Sequence, residues 1–150
     1  MIKFNKPSIT ELEINKVVDC LNGNSILTEV YEHFKKRFHI DNMLLTTSGT
    51  TALEMASILI DLEPGDEVIT PSFTFSSTVN AFLLRGANPV FCDIREDTFN
   101  IDENLIEDLI TSKTKAIYAV DYAGFPCEMD KINEIANRHG LFVIEDAAQA

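Results

Sequence analysis

Basic residues are scarce in this sequence. Its 150 residues hold 12 Lys and Arg against 24 Asp and Glu, a formal net charge of −12. A nucleic-acid-binding surface needs clustered cations to displace phosphate counterions, so no nucleic acid is expected as a partner. The one locally basic stretch, HFKKRFH from His33 to His39, reads as the solvated face of a short helix. Cysteine is scarce too. Cys20, Cys92 and Cys127 are odd in number, far apart and without a C-x-x-C spacing. That argues against a disulfide framework and a zinc site, and no metal is expected. Cys92, inside the apolar run PVFCDI, reads as a small core residue. No apolar run is long enough to span a bilayer, so no membrane partner is expected. Met1 to Leu12 also lacks the apolar stretch behind a basic start that marks a signal peptide, and a cytoplasmic location is the expectation. Neither G-x-G-x-x-G nor a Walker G-K-[ST] occurs, which speaks against a generic nucleotide-binding α/β domain.

What is present is a soluble, globular balance of 45% apolar and 24% charged residues. Five short β-rich runs recur: MLLTT from Met43, EVITP from Glu67, PVFCDI from Pro89, KAIYAV from Lys115 and LFVIED from Leu141. Their starts are about 22 to 26 residues apart, the length of a strand plus a crossover helix. Helical periods lie between them. Ala52, Met55, Ala56, Leu59 and Ile60 share one face, and so do Met129, Ile132, Ile135 and Ala136, with Gly140 as a stop. Asp102 is expected to cap a further helix over ENLIEDLI. Upstream, Ser8 to Glu11 has capping-box spacing ahead of Leu12, Val17, Val18 and Leu21. Residues 1–40 therefore read as a helical arm and 41–150 as the alternating unit. Nearly all-apolar strands alternating with helices imply an α/β fold: a three-layer α/β/α arrangement with a mostly parallel sheet covered on both faces.

In such sheets ligands bind beyond the carboxyl ends of the strands. Polar and aromatic residues gather there. Ser48-Gly49-Thr50-Thr51 leads from a strand into a helix, where free N–H groups and hydroxyls suit a phosphate; a plain Ser/Thr helix cap explains the same residues. Phe73 and Phe75 follow the next strand. Either suits stacking on a flat ligand, and core packing is the alternative for each. Glu145-Asp146 closes the last strand. A carboxylate there needs a cation or strong donor; a protonated pyridine nitrogen, a magnesium ion or a helix N-terminus would each serve. Together, a phosphate cradle, a stacking ring and an acid for a ring nitrogen match the needs of pyridoxal 5′-phosphate (PLP).

The blocks TSGTTALEMA, PGDEVITPSFTFSSTVNAFLLRGANPVFCDI, YAGFPCEMDKI and LFVIEDAAQA cover almost the whole chain. In order and spacing they resemble the sugar-nucleotide aminotransferases of PLP fold type I, the DegT/DnrJ/StrS group. The nearest resemblance is to enzymes that aminate a dTDP-linked 4-keto-6-deoxy sugar for cell-surface polysaccharides. That resemblance implies a homodimer, a nucleotide-sugar substrate and glutamate as amino donor. It places Gly49, Thr50 and Thr51 at the cofactor phosphate, Phe75 on the pyridine ring, Asp146 at the ring nitrogen and Gln149 near the ring hydroxyl; Phe73 then becomes packing. The family's Schiff-base lysine lies in an S-F-x-x-x-K type segment after the EDAAQ block, which places it beyond Ala150. None of the lysines here, Lys113 and Lys115 included, has that setting, so no catalytic residue is assigned. The chain is accordingly expected to be the N-terminal part of a longer, truncated large domain, inactive in transamination by itself. Family topology puts later strands beside MLLTT, which would otherwise lack sheet neighbours. A sugar 3-dehydratase of the same family, with histidine in place of that lysine, is the rival enzymatic reading, and an inert or regulatory PLP-binding fragment is the non-enzymatic one. Two departures stand out: NGNSILTEVYEHF is short and has Glu29 near a common Gly, and Asp121 stands where His is frequent.

Overall fold

The computed structural model describes residues 6–150. The chain divides between Leu45 and Thr46 into two units, which are described separately. In the first, helix α1 runs Glu11–Leu21 and α2 runs Leu27–Phe38. The capping box starts at Thr10 and not at Ser8. Thr10 is extended (φ −112°, ψ 177°), its hydroxyl accepts from the Leu12 N–H at 3.2 Å, and the Glu13 carboxylate accepts from the Thr10 N–H at 2.6 Å. Both Ser8 and Thr10 carry a hydroxyl with an acid three residues on; the helix takes the second pair because its first turn begins at Glu11. Lys16 of α1 pairs with Glu29 of α2 at 2.7 Å. Leu12, Val17, Val18 and Leu21 are all exposed, and α1 buries none of its residues. Lys35, Lys36 and Arg37 occupy the last turn of α2, the favourable end of the helix dipole for cations.

In the second unit the order is α3 Gly49–Leu59, β1 Glu67–Pro71, α4 Ser76–Leu83, β2 Asn88–Cys92, β3 Thr114–Val120, α5 Met129–His139 and β4 Phe142–Asp146. The strands form one parallel sheet in the order β2-β1-β3-β4. Side chains alternate along each strand, so each strand feeds two cores. Val68, Ala116 and Tyr118 turn to Leu53, Ala81 and Phe82 of α3 and α4, whereas Ile69, Ile117 and Ala119 turn to Ile132, Ile135 and Ala136 of α5. This is the expected three-layer α/β/α arrangement. Gly140 ends α5 with φ +67°, a left-handed stop that costs glycine little.

Three expectations need correction. MLLTT, read as a β-rich run, is not a strand: the sheet pairs its four strands without it, and it lacks sheet neighbours as expected for this stretch. Strand β1 is flanked on both sides and β3 is closed by β4, so the open edges of the sheet are those of β2 and β4. ENLIEDLI is not an α-helix either. The Asp102 carboxylate accepts the Asn104 N–H at 3.0 Å, and this local bond competes with a helical turn. Buried Glu103 is drawn to Arg95 at 3.2 Å, so the segment folds into turns and one 3-10 turn, Glu107–Leu109. On α3 the buried residues are Leu53 and Ser57, followed by Ile60 at the C-cap; of the expected stripe Ile60 is buried and Met55 and Ala56 are half-buried, but Ala52 and Leu59 are exposed. A serine on the core side hid the true period; its hydroxyl is satisfied inside by Tyr118 at 2.7 Å.

Candidate functional site

Helix α3 starts where it does because Ser48 is extended (φ −160°, ψ 161°) and its Oγ accepts the Thr51 N–H at 3.1 Å. The Thr51 hydroxyl returns to Ser48 Oγ at 2.9 Å. The Gly49 and Thr50 N–H groups are left without acceptors among the described residues, as two orphan donors at a helix start.

Asp146 ends β4 and is only 8% exposed. Its Oδ2 accepts from Thr78 Oγ1 at 2.6 Å and its Oδ1 from the Ala148 N–H at 3.3 Å. The adjacent Glu145 belongs to the opposite face of the strand. There Asp121 pushes the Glu145 carboxyl upward from its ordinary range, first through their hydrogen bond, with burial and like charge adding to it. The two neighbouring acids therefore live in different environments, and of the pair Asp146 alone faces the cavity. Asp121 acquires a structural account as well: its Oδ1 accepts the Cys127 N–H at 2.9 Å and its own N–H donates to the Asp146 carbonyl at 3.1 Å. Burial pushes the Cys127 thiol up to about 12 and the Cys92 thiol to about 11, so both are inert core residues.

Phe75 immediately precedes α4 and is 72% exposed. Phe73 packs instead, its ring centroid 4.8 Å from Tyr122 and 5.7 Å from Phe99. The loop that carries Tyr122 is clamped by the buried Asn100, whose amide donates to the Phe125 carbonyl and accepts the Tyr122 N–H, each at 2.9 Å. Gln149 closes the other side, its Oε1 accepting the Ala123 N–H at 2.6 Å. That leaves the Gln149 NH2 as the group with donors to spare. Ala150 follows it as an exposed residue outside the cavity lining, and its N–H turns back to the Ala147 carbonyl at 3.0 Å. The EDAAQ block thus ends in a turn, and Ala150 adds no chemistry to the site.

These pieces surround one cavity of about 290 Å3 at the carboxyl ends of β1, β3 and β4. Gly49, Thr50, Phe75, Asp146 and Gln149 all line it, although they come from three separate stretches of chain. Thr51 does not; its hydroxyl and N–H are spent on Ser48. Thr74, Ser77, Val120 and Tyr122 line the cavity without having been singled out in the sequence. Tyr122 had a signal, since it stands two residues past the end of β3. Thr74 and Thr78 had only a four-residue spacing in a hydroxyl-rich stretch.

Residues 7–150 match the DegT/DnrJ/EryC1/StrS aminotransferase family. The chain belongs to this family. DesV from S. venezuelae, solved in complex with a ketimine intermediate, is 44% identical over 69% of this chain and 28% of its own, with a TM-score of 0.67. An aminotransferase from Psychrobacter cryohalolentis is 38% identical over 96% of this chain and 38% of its own, TM-score 0.87. NtdA from Bacillus subtilis, solved with bound pyridoxamine phosphate, is 36% identical over 95% of this chain and 35% of its own, TM-score 0.86. The chain thus spans 28 to 38% of the length of these structures. The fold is that of fold type I PLP-dependent aminotransferases, and the family's cofactor is PLP. The cavity's chemistry fits that group: two free backbone donors for a phosphate, a buried carboxylate at the cavity wall, and an exposed ring beside it.

Proposed function

We propose that the whole protein is a PLP-dependent aminotransferase that moves an amino group from glutamate to a nucleotide-linked 4-keto-6-deoxy sugar, in cell-surface polysaccharide synthesis, and works as a cytoplasmic homodimer. The observation that carries this is the meeting of the α3 N-terminus, Phe75 and a hydrogen-bonded, buried Asp146 around one cavity. When bound, PLP supplies an electron sink. The Gly49 and Thr50 N–H groups, with the Thr50 hydroxyl beside them, hold a phosphate. Phe75 covers one face of a planar ring. Asp146 accepts the ring N–H and keeps that nitrogen protonated, and Gln149 donates its NH2 to a ring oxygen. Among the described residues no lysine lines the cavity. The 150 residues by themselves are therefore proposed not to transaminate.

The rival is a sugar 3-dehydratase. A GDP-4-keto-6-deoxymannose-3-dehydratase superposes with a TM-score of 0.86 at 26% identity, and the cavity residues named above suit either activity. Titration with pyridoxal 5′-phosphate, followed by its visible absorbance, tests the site. Wild-type protein binds, and Asp146→Asn loses about tenfold to a hundredfold in affinity, the worth of one charge-assisted hydrogen bond. Equal binding by the two proteins refutes the assignment of Asp146. Borohydride treatment of the mixture that fixes the cofactor to Lys113 or Lys115 refutes the inactive reading. Products formed by the whole protein from a 4-keto sugar, amino sugar or 3-deoxy sugar, decide between transfer and dehydration.

A further inference from the structure

Thr78 is a fully buried hydroxyl on α4, a helix whose other buried positions include the packing residues Ala81 and Phe82. Its Oγ1 donates to Asp146 Oδ2 at 2.6 Å. Because its single proton is committed to the carboxylate, the contact between Thr74 and Thr78 hydroxyls at 2.9 Å has one direction: Thr74 donates and Thr78 accepts. The result is a two-hydroxyl chain, Thr74 to Thr78 to Asp146, in which each bond polarises the next. Its outer end lies in the Ser72–Phe75 segment, one residue before Phe75, and its inner end is the acid of β4. Without it Asp146 would keep one donor among the described residues, the Ala148 N–H at a long 3.3 Å, which holds the other oxygen.

We infer that Thr78, backed by Thr74, is the positioning residue of this site: it aims the Asp146 carboxylate into the cavity and ties it to the loop that carries Phe75. The β-branch of threonine leaves χ1 few choices in a helix, and the bonds to Asp146 and Thr74 select the one that presents the hydroxyl to Oδ2. The acid and the stacking ring, far apart in sequence, are thereby held at one spacing, which suits a single planar heteroaromatic ligand with a protonated ring nitrogen. This inference rests on the proposed contact between Asp146 and the ring nitrogen of PLP.

The test compares two probes on the same proteins: pyridoxal 5′-phosphate, and its 1-deaza analogue, in which carbon replaces the ring nitrogen. Thr78→Val keeps the shape and removes the hydroxyl. It is expected to weaken pyridoxal 5′-phosphate by about tenfold. The analogue, which makes no bond to Asp146, is held equally by Thr78→Val and wild type, and Thr78→Ser restores the affinity for pyridoxal 5′-phosphate. A Thr78→Val protein that binds pyridoxal 5′-phosphate as wild type does, or that loses both probes in equal measure, overturns the inference. If Asp146→Asn also binds both probes as wild type does, the reading of Asp146 falls instead. Circular dichroism establishes that each variant is folded. Should Thr78→Val fail to fold, Thr74→Val takes its place with an expected loss of about threefold, again confined to the probe with a ring nitrogen.

Discussion

Helix α3 carries the orphan N–H groups of the site, and one buried contact pins it to the sheet. Tyr118 of β3 and Ser57 of α3 are both wholly buried, with their hydroxyl oxygens 2.7 Å apart. Ser57 gives its proton to the Leu53 carbonyl at 3.1 Å, so Tyr118 is the donor in the pair. That ordering makes the two deletions unequal. Tyr118→Phe removes a donor that Ser57 can lose, because Ser57 keeps its own acceptor; the cost is about 1 kcal/mol. Ser57→Ala strands the tyrosine O–H in an apolar core, beside Phe82 at a ring distance of 5.3 Å, and costs about 2 kcal/mol. The double variant has no stranded group and should fall by only about 1 kcal/mol, well short of the sum. Urea unfolding of the four proteins, followed by circular dichroism, measures the cycle. A Tyr118→Phe loss as large as that of Ser57→Ala, or additive losses, would refute the assigned hydrogen-bond direction.

Gly124 has φ +83°, and a Cβ there would meet the Gln149 carbonyl at 3.1 Å. Gly124→Ala should cost about 1–2 kcal/mol from the left-handed backbone alone, read as a lower urea midpoint, and an unchanged midpoint would count against the loop geometry. Glu145 tests the pH dependence. Its carboxyl is raised on folding, so its contribution is whole below the unfolded pKa and is lost as pH rises through the folded one. At neutral pH it therefore repels Asp121, and Glu145→Gln should melt higher than wild type. The gap should close on acidification below the ordinary carboxylate range; a constant gap, or none at neutral pH, speaks against the pairing.

Much of the architecture was legible because apolar runs with β-branched residues leave little choice. β1, β2, β3 and β4 lie where the runs from Glu67, Pro89, Lys115 and Leu141 put them, and α5 ends at Gly140 as expected. The failures have one physical origin: patterns report burial on average, not the partners that satisfy particular polar groups. Ser57 was not assigned to the buried face because nothing nearby in sequence announces Tyr118, 61 positions away. Asp102 looked like a helix cap because its bond to Asn104 and the pull of Arg95 on Glu103 appear only when those groups meet. MLLTT has the composition of a strand, but composition cannot supply a neighbour to pair with.

At the site the division is similar. Residue types and their order after each β-rich run singled out Gly49, Thr50, Asp146 and the pair Phe73 and Phe75, since a parallel sheet gathers its strand ends at one edge, while the choice of Phe75 and the addition of Gln149 came from the family resemblance. The chain alone determined this much: which chemical groups stand at the ends of which strands. Folding decided the rest. The strand order β2-β1-β3-β4 sets Asp146 beside Thr78, 68 residues away, the pleat sends Glu145 to the opposite face, and the cap at Ser48 withdraws Thr51 from the cavity. A hydrogen bond over that separation depends on where two elements pack, and packing is a property of the whole folded unit, written in no single stretch of residues.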